Sequence, residues 1–437
     1  MKKNCIPFVL TAVVLASLSC SDSTGKAGGE PGQEGALIEN LVMHTAVGDW
    51  GTVVRGFDVT AVNKKALKNL KAEDFDIVNN APNTMYDPAT GESVKAYAED
   101  GISISRKGRT LTIQATPFDA EGARGQRFQK EPWKVVCTQP GLSFSASDVD
   151  DTTIDIIDEC IRGSYSFGGI TREYMLYLPK DEKGNEIKNV PLFVWQIGGG
   201  EYDKDMMTAA LANRCLTSLP EHGEKCATLV FAIANPNYSY SASLDPEKIK
   251  LIDLNNALQM SFIDSLIEEG KVDGSRLFCA GASSGGGCTI RFMMQFADRF
   301  KAAIPVCSMD PVVPIHKVQE AYPGQFADDL EKTFSSDCVY KWNGTEMELQ
   351  KMDVAAFTKL PMYFVHAADD NTCKVISTYS YIEARRRLGA KDDQMRIFSD
   401  ADMKEYGFGG FLSHFSWCRM LDDYTEGSAM DWLVKQL

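Results

Sequence analysis

Histidine is scarce in this chain, with 5 in 437 residues. Chemistry that needs an imidazole must therefore draw on His44, His222, His316, His366 or His414. Positive charge is also short: 45 Lys and Arg stand against 60 Asp and Glu, a formal net charge of −15. With no basic stripe to neutralise phosphates, this balance argues against a nucleic-acid partner. The 12 cysteines contain no C-x-x-C pair, which argues against a structural zinc site. The apolar run from Ile6 to Leu18 is too short to span a bilayer comfortably. What is present is a hydrophobic content of 44%, ample for a sizeable core, and a length that suits two or three domains.

Residues 1–20 read as a targeting segment. Lys2 and Lys3 precede the apolar run, and small residues follow it, ending Ser17-Leu18-Ser19-Cys20. This resembles a bacterial lipoprotein signal with a loose lipobox. The resemblance implies lipid attachment at Cys20 and an exported protein held to a membrane in the cell envelope, at a periplasmic or outer-membrane surface. Ordinary secretory cleavage near the same place is the alternative. Residues 21–35 offer almost nothing to bury and read as a flexible tether. Setting aside Cys5 and Cys20 leaves ten cysteines, an even number compatible with disulfides in an export compartment.

From 36 to about 160, short segments alternate apolar and polar residues. They are Val53–Thr60, Phe75–Val78, Ile102–Ser105 and Thr110–Ala115, separated by polar turns. The pattern predicts an all-β sandwich of immunoglobulin type. His44 stands alone there and reads as an ordinary surface or core histidine.

From 161 to 437, buried-strand patterns alternate with helical ones, which predicts a mostly parallel sheet with helices on both faces. The strands are Arg172–Leu178, Pro191–Ile197, Ala227–Ala234, Leu277–Ala280, Ala302–Val306, Met362–His366 and Gln394–Phe398. Leu254, Leu258, Phe262 and Leu266 mark an amphipathic helix. Another helix closes the chain from about Ala429.

One stretch organises this half. Gly281-Ala-Ser283-Ser-Gly285 joins an apolar strand to a helix carrying Ile290, Met293 and Met294. A serine on so sharp a turn is held in strained backbone with its hydroxyl pushed out of the sheet. The adjoining helix N-terminus favours developing negative charge.

The order of elements, with the serine turn near the middle, resembles the α/β-hydrolase fold over residues 165–437. That resemblance implies an oxyanion site from backbone N–H groups of Gly199, Gly200 and Ser284, although Ile197 stands where many relatives carry His. His366-Ala-Ala-Asp369-Asp370-Asn-Thr-Cys-Lys-Val375 resembles the segment that carries the acid in these families. Asp370 takes the acid's place with Asp369 as the fallback, and His366, at a buried strand end, reads as structural. His414-Phe-Ser-Trp417 resembles esterases of the feruloyl and polyhydroxyalkanoate-depolymerase-like branch, as does Val272-Asp-Gly-Ser-Arg276-Leu. The order Ser283, Asp370, His414 is the order this fold requires.

The implied activity is a serine carboxylesterase acting through an acyl-enzyme on Ser283, with no metal or organic cofactor. Export would bring it to small-molecule or oligosaccharide esters, such as acetyl or feruloyl groups on plant polysaccharide. The oligomeric state stays open. Aromatics between Ser308 and Lys359 (Tyr322, Phe326, Tyr340, Trp342) stand where such enzymes insert a lid or substrate wall, and they suit either the lining of an acyl or sugar site or the covering of the core. Two alternatives are a serine peptidase of prolyl-oligopeptidase type, lacking here a preceding β-propeller repeat, and a surface glycan-binding protein on a hydrolase-like fold.

Overall fold

The structure is a computed structural model and describes residues 37–80, 101–120, 132–233, 245–309, 312 and 322–437. The targeting segment, Cys20, the tether and His316 lie outside the described residues.

The N-terminal part is all-β. Its strands are β1 (Ile38–Gly48), β2 (Gly51–Ala61), β3 (Phe75–Val78), β4 (Ser103–Lys107), β5 (Thr110–Asp119), β6 (Lys134–Cys137), β7 (Phe144–Ser145) and β8 (Asp151–Ile154). They form one sheet in the order β4-β5-β2-β1-β8 and a second in the order β3-β6-β7. Phe57, Leu111, Ile113 and Phe118 of the first sheet meet Phe75, Val135 and Phe144 of the second in one core closed by Trp133. Period-two alternation puts these residues on the inner faces. The Phe57 ring lies 5.1 Å from that of Trp133. The strands β1 and β2 form a hairpin whose register closes at Gly48↔Gly51, with Asp49 and Trp50 as its two-residue turn.

The second part holds β9 (Ile161–Phe167), β10 (Ile170–Tyr177), β11 (Val190–Gln196), β12 (Ala227–Phe231), β13 (Val272–Ala282), β14 (Ala302–Val306), β15 (Asp337–Trp342), β16 (Met347–Lys351), β17 (Tyr363–Ala367) and β18 (Gln394–Phe398). Eight of them form a sheet in the order β18-β17-β14-β13-β11-β12-β10-β9. From β12 to β18 the neighbours run parallel, and β10 and β9 add an antiparallel edge. The strands β11, β12, β14 and β17 are buried along their whole length. That is why they read as continuous apolar runs rather than alternating ones. At the far edge, β18 exposes Gln394, Met395 and Arg396.

The helices Pro246–Glu268 and Ser284–Phe296 cover one face. The first of these buries a polar face as well as an apolar one. Asp253 receives two hydrogen bonds from Arg291 (2.7 and 2.5 Å), and Gln259 accepts one from Gln196 (2.8 Å). Asp253 and Gln259 thus each have a partner, which such burial requires.

The even cysteine count does not translate into disulfides. All ten cysteines from Cys137 to Cys418 are free thiols, and all but Cys160 and Cys338 are buried. They serve as small apolar residues of the core.

Candidate active site

The residues singled out from the sequence converge at the C-terminal ends of the parallel strands. The chain leaving β11 turns to β12 on one side, while β13 and the strands after it lie on the other, so a crevice opens where the strand order reverses. The strand β13 ends at Ala282, and the next residue, Ser283, has φ 57° and ψ −120°. Serine rarely holds such a conformation, and the surrounding packing fixes it. A Cβ on Gly285 would stand 2.0 Å from the Gln196 carbonyl oxygen, and one on Gly281 would stand 2.6 Å from the Gly285 carbonyl oxygen. Glycine is required at both places by close approach. The Ser283 N–H donates to the Val306 carbonyl (3.0 Å), and its carbonyl accepts from Met309 N–H (2.9 Å).

The Ser283 Oγ lies 3.1 Å from His414 Nε2, and His414 Nδ1 lies 2.8 Å from Asp370 Oδ2. An ionised carboxylate only accepts, so Nδ1 carries the proton and Nε2 is left to accept from the serine hydroxyl. Asp370 comes from the loop after β17, where its Oδ1 also accepts the N–H groups of Thr372 (2.8 Å) and Cys373 (2.9 Å). Burial alone would push this carboxyl up. The His414 charge and the hydrogen bonds from His366 and His414 outweigh that and hold it well below the usual carboxylate range.

His366, read as structural from sequence, supports this loop. It is fully buried, with Nδ1 2.9 Å from Thr378 Oγ1 and Nε2 2.8 Å from the Cys373 carbonyl. The Nε2–H also faces Asp370 Oδ2 at 3.4 Å. Asp369 points elsewhere and accepts from Ser413 Oγ at 2.8 Å. The Cys307 thiol lies within 4.8 Å of the Asp370 and His414 ligand atoms, but burial keeps it well above the usual thiol range, as a thiol rather than a thiolate.

Gly198, Gly199 and Gly200 run over the serine turn. A Cβ on Gly198 would stand 4.0 Å from Ser283 Cβ. The Gly198 N–H donates to the Glu201 carboxylate, which also accepts from Asn213 Nδ2 at 3.1 Å. Burial pushes the Glu201 carboxyl up to about 6 against the lowering effect of both bonds. Gly199, Gly200, Ser283, Ser284 and His414 all line one cleft of about 390 Å³.

Compared with known proteins, residues 258–403 match the sequence model of the prolyl oligopeptidase family. The matched stretch includes the serine turn and Asp370 and stops short of His414. No curated protein matches the chain in sequence. Among solved structures, a thermostable esterase aligns over 91% of this chain and 100% of its own, with a TM-score of 0.59 and 18% identity. The fold is the α/β-hydrolase fold. A ferulic acid esterase covers 64% of this chain and 97% of its own at TM-score 0.42 and 14% identity. A carboxylesterase from Lactobacillus plantarum covers 55% and 82% at TM-score 0.35 and 14% identity.

Within this α/β-hydrolase core, the structure decides between the two readings of the aromatics Tyr340 and Trp342. Tyr340 and Trp342 belong to the β15–β16 hairpin, where the Tyr340 N–H bonds Asp253 (2.7 Å) and Trp342 packs on Phe167 (5.1 Å). They cover the core rather than the serine, because the hairpin caps the outer face of the helix Pro246–Glu268. Neither Tyr322 nor Phe326 lines the cleft, while residues 310–311 and 313–321 of that region lie outside the described residues. The aromatic lining comes from Trp50, Trp195, Phe415 and Trp417. Phe415 and Trp417 belong to the His414-Phe-Ser-Trp417 motif read from sequence. Trp50 belongs to the other part of the chain, and no local pattern points to it.

Proposed function

We propose that the protein is a serine carboxylic-ester hydrolase that forms an acyl-enzyme on Ser283. One observation carries this reading: the unbroken hydrogen-bond chain from Ser283 Oγ through His414 to Asp370, opening into a cleft beside a glycine loop. In this scheme His414 Nε2 takes the serine proton as Oγ attacks the ester carbonyl. Asp370 holds the imidazole in the required tautomer and stabilises its cation. Backbone N–H groups of Ser284 and of Gly199 or Gly200 receive the oxyanion. His414 then protonates the leaving alcohol, and water repeats the sequence in reverse to free the acid and Ser283.

The N-terminal part is taken as an immunoglobulin-type sandwich, Cys20 as a lipid anchor at the cell envelope, and acylated plant polysaccharide or oligosaccharide as the substrate source. The match of residues 258–403 to the prolyl oligopeptidase family favours one second reading, a serine peptidase with the same three residues. Side-by-side assays separate the two. The purified protein is expected to hydrolyse p-nitrophenyl acetate, butyrate and methyl ferulate and to leave prolyl p-nitroanilide peptides intact. Cleavage of the peptides without turnover of any ester overturns the esterase reading in favour of the peptidase.

A further inference from the structure

We infer that Trp50, supplied by the N-terminal all-β part, is a specificity-determining wall of the Ser283 cleft and limits the size of the ester group accepted there. The inference rests on the ester-hydrolase reading and assigns the N-terminal part a role at that site.

Trp50 is the second residue of the β1–β2 turn and is only 6% exposed. It lines the same cleft as Gly199, Ser283 and His414. Its ring meets Phe415 edge-on, with centroids 4.6 Å apart at 88°, and Phe408 at 5.3 Å. Phe415 follows His414 directly and sits 4.8 Å from Trp417. The turn therefore completes an aromatic enclosure that the hydrolase core builds only in part.

The turn is held in place from both sides. The Asp49 carboxylate is 4% exposed and lies 3.6 Å from Arg214 Nε, and Arg214 also pairs with Asp422. Arg55 of β2 faces Glu221 at 3.8 Å. Val47 and Trp50 belong to the same apolar core as Trp195, Cys288 and Leu412, whereas the rest of the N-terminal part is centred on Phe57 and Trp133. A rigid indole in a cleft of about 390 Å³ excludes volume that a longer or bulkier ester group would otherwise fill. Truncating such a wall changes discrimination between substrates of different size rather than the chemistry common to all of them.

The test compares kcat/KM of wild type, Trp50→Ala and Trp50→Phe on two ester series. One lengthens the acyl group (p-nitrophenyl acetate, butyrate, octanoate), and the other enlarges the alcohol of an acetate. The Trp50→Ala protein is expected to shift the large-to-small ratio in one series toward the larger ester by at least about fivefold. Trp50→Phe, which keeps a ring in the core and guards against loss of the fold, is expected to shift the same ratio less. Unchanged ratios in both series, or a uniform loss across all esters, overturn the wall and leave Trp50 a packing residue. A wild-type protein with no turnover on any ester fails earlier, and sinks the hydrolase reading together with this inference.

Discussion

At the scale of single residues, the three side chains differ in how visible they are. Ser283 announces itself through two glycines whose absence of side chain the packing demands, since a Cβ at Gly285 would overlap the Gln196 carbonyl. His414 stands out because imidazoles are so few. Asp370 and Asp369 are indistinguishable by type, and only the fold decides that Asp370 meets His414 while Asp369 meets Ser413. Asp370→Asn keeps the shape of the loop but lets the amide donate to Nδ1, which favours the tautomer with its proton on Nε2. The expected result is a loss in kcat of about 10⁴-fold with KM changed little, read by steady-state kinetics. A loss of less than about tenfold would show that Asp370 does not set the tautomer. His366 reads as structural from its place at a buried strand end, while the contacts that define its role, with Cys373 and Asp370, are not visible in sequence spacing.

At the scale of elements, the parallel strands were legible because burial on both faces leaves a continuous apolar run. The helix Pro246–Glu268 was legible through Leu258, Phe262 and Leu266, yet its buried Asp253, Asn256 and Gln259 were not. These polar residues look like a solvated face until Arg291, Gln295 and Gln196 are brought against them. The strand β1 also escaped notice, since its pattern Ile-Glu-Asn-Leu-Val-Met-His alternates poorly and its parallel partner β8 lies far along the chain. The junction of β13 with the helix Ser284–Phe296 is the most constrained element. Gly285→Ala would drive a methyl into the end of β11, so the variant is expected to lose at least about 2 kcal/mol of stability, measured by denaturant unfolding. Wild-type stability with wild-type activity would mean the turn is looser than its packing indicates.

At the scale of the whole molecule, the two parts share more than a chain connection. The N-terminal part has its own core, but its β1–β2 turn belongs to the core of the other part and to its cleft. Sequence gave no hint of this. Asp49-Trp50 between two strands reads as an ordinary turn, and the Arg214 that fixes Asp49 lies far along the chain. Local periodicity reports which face of an element is buried, not which distant element covers it. The same limit explains why the place of Trp50 in the cleft lining is not legible in the sequence.

Ester hydrolysis through Ser283 is open to a direct comparison of two proteins. Hydrolysis of p-nitrophenyl butyrate by wild type is compared with that of Ser283→Ala, both shown by circular dichroism to be folded. Clear turnover is expected in the wild type, with a loss of at least about 10³-fold in the variant. Equal rates in the two proteins would contradict hydrolysis through Ser283, whatever the hydrogen-bond chain through His414 and Asp370 suggests.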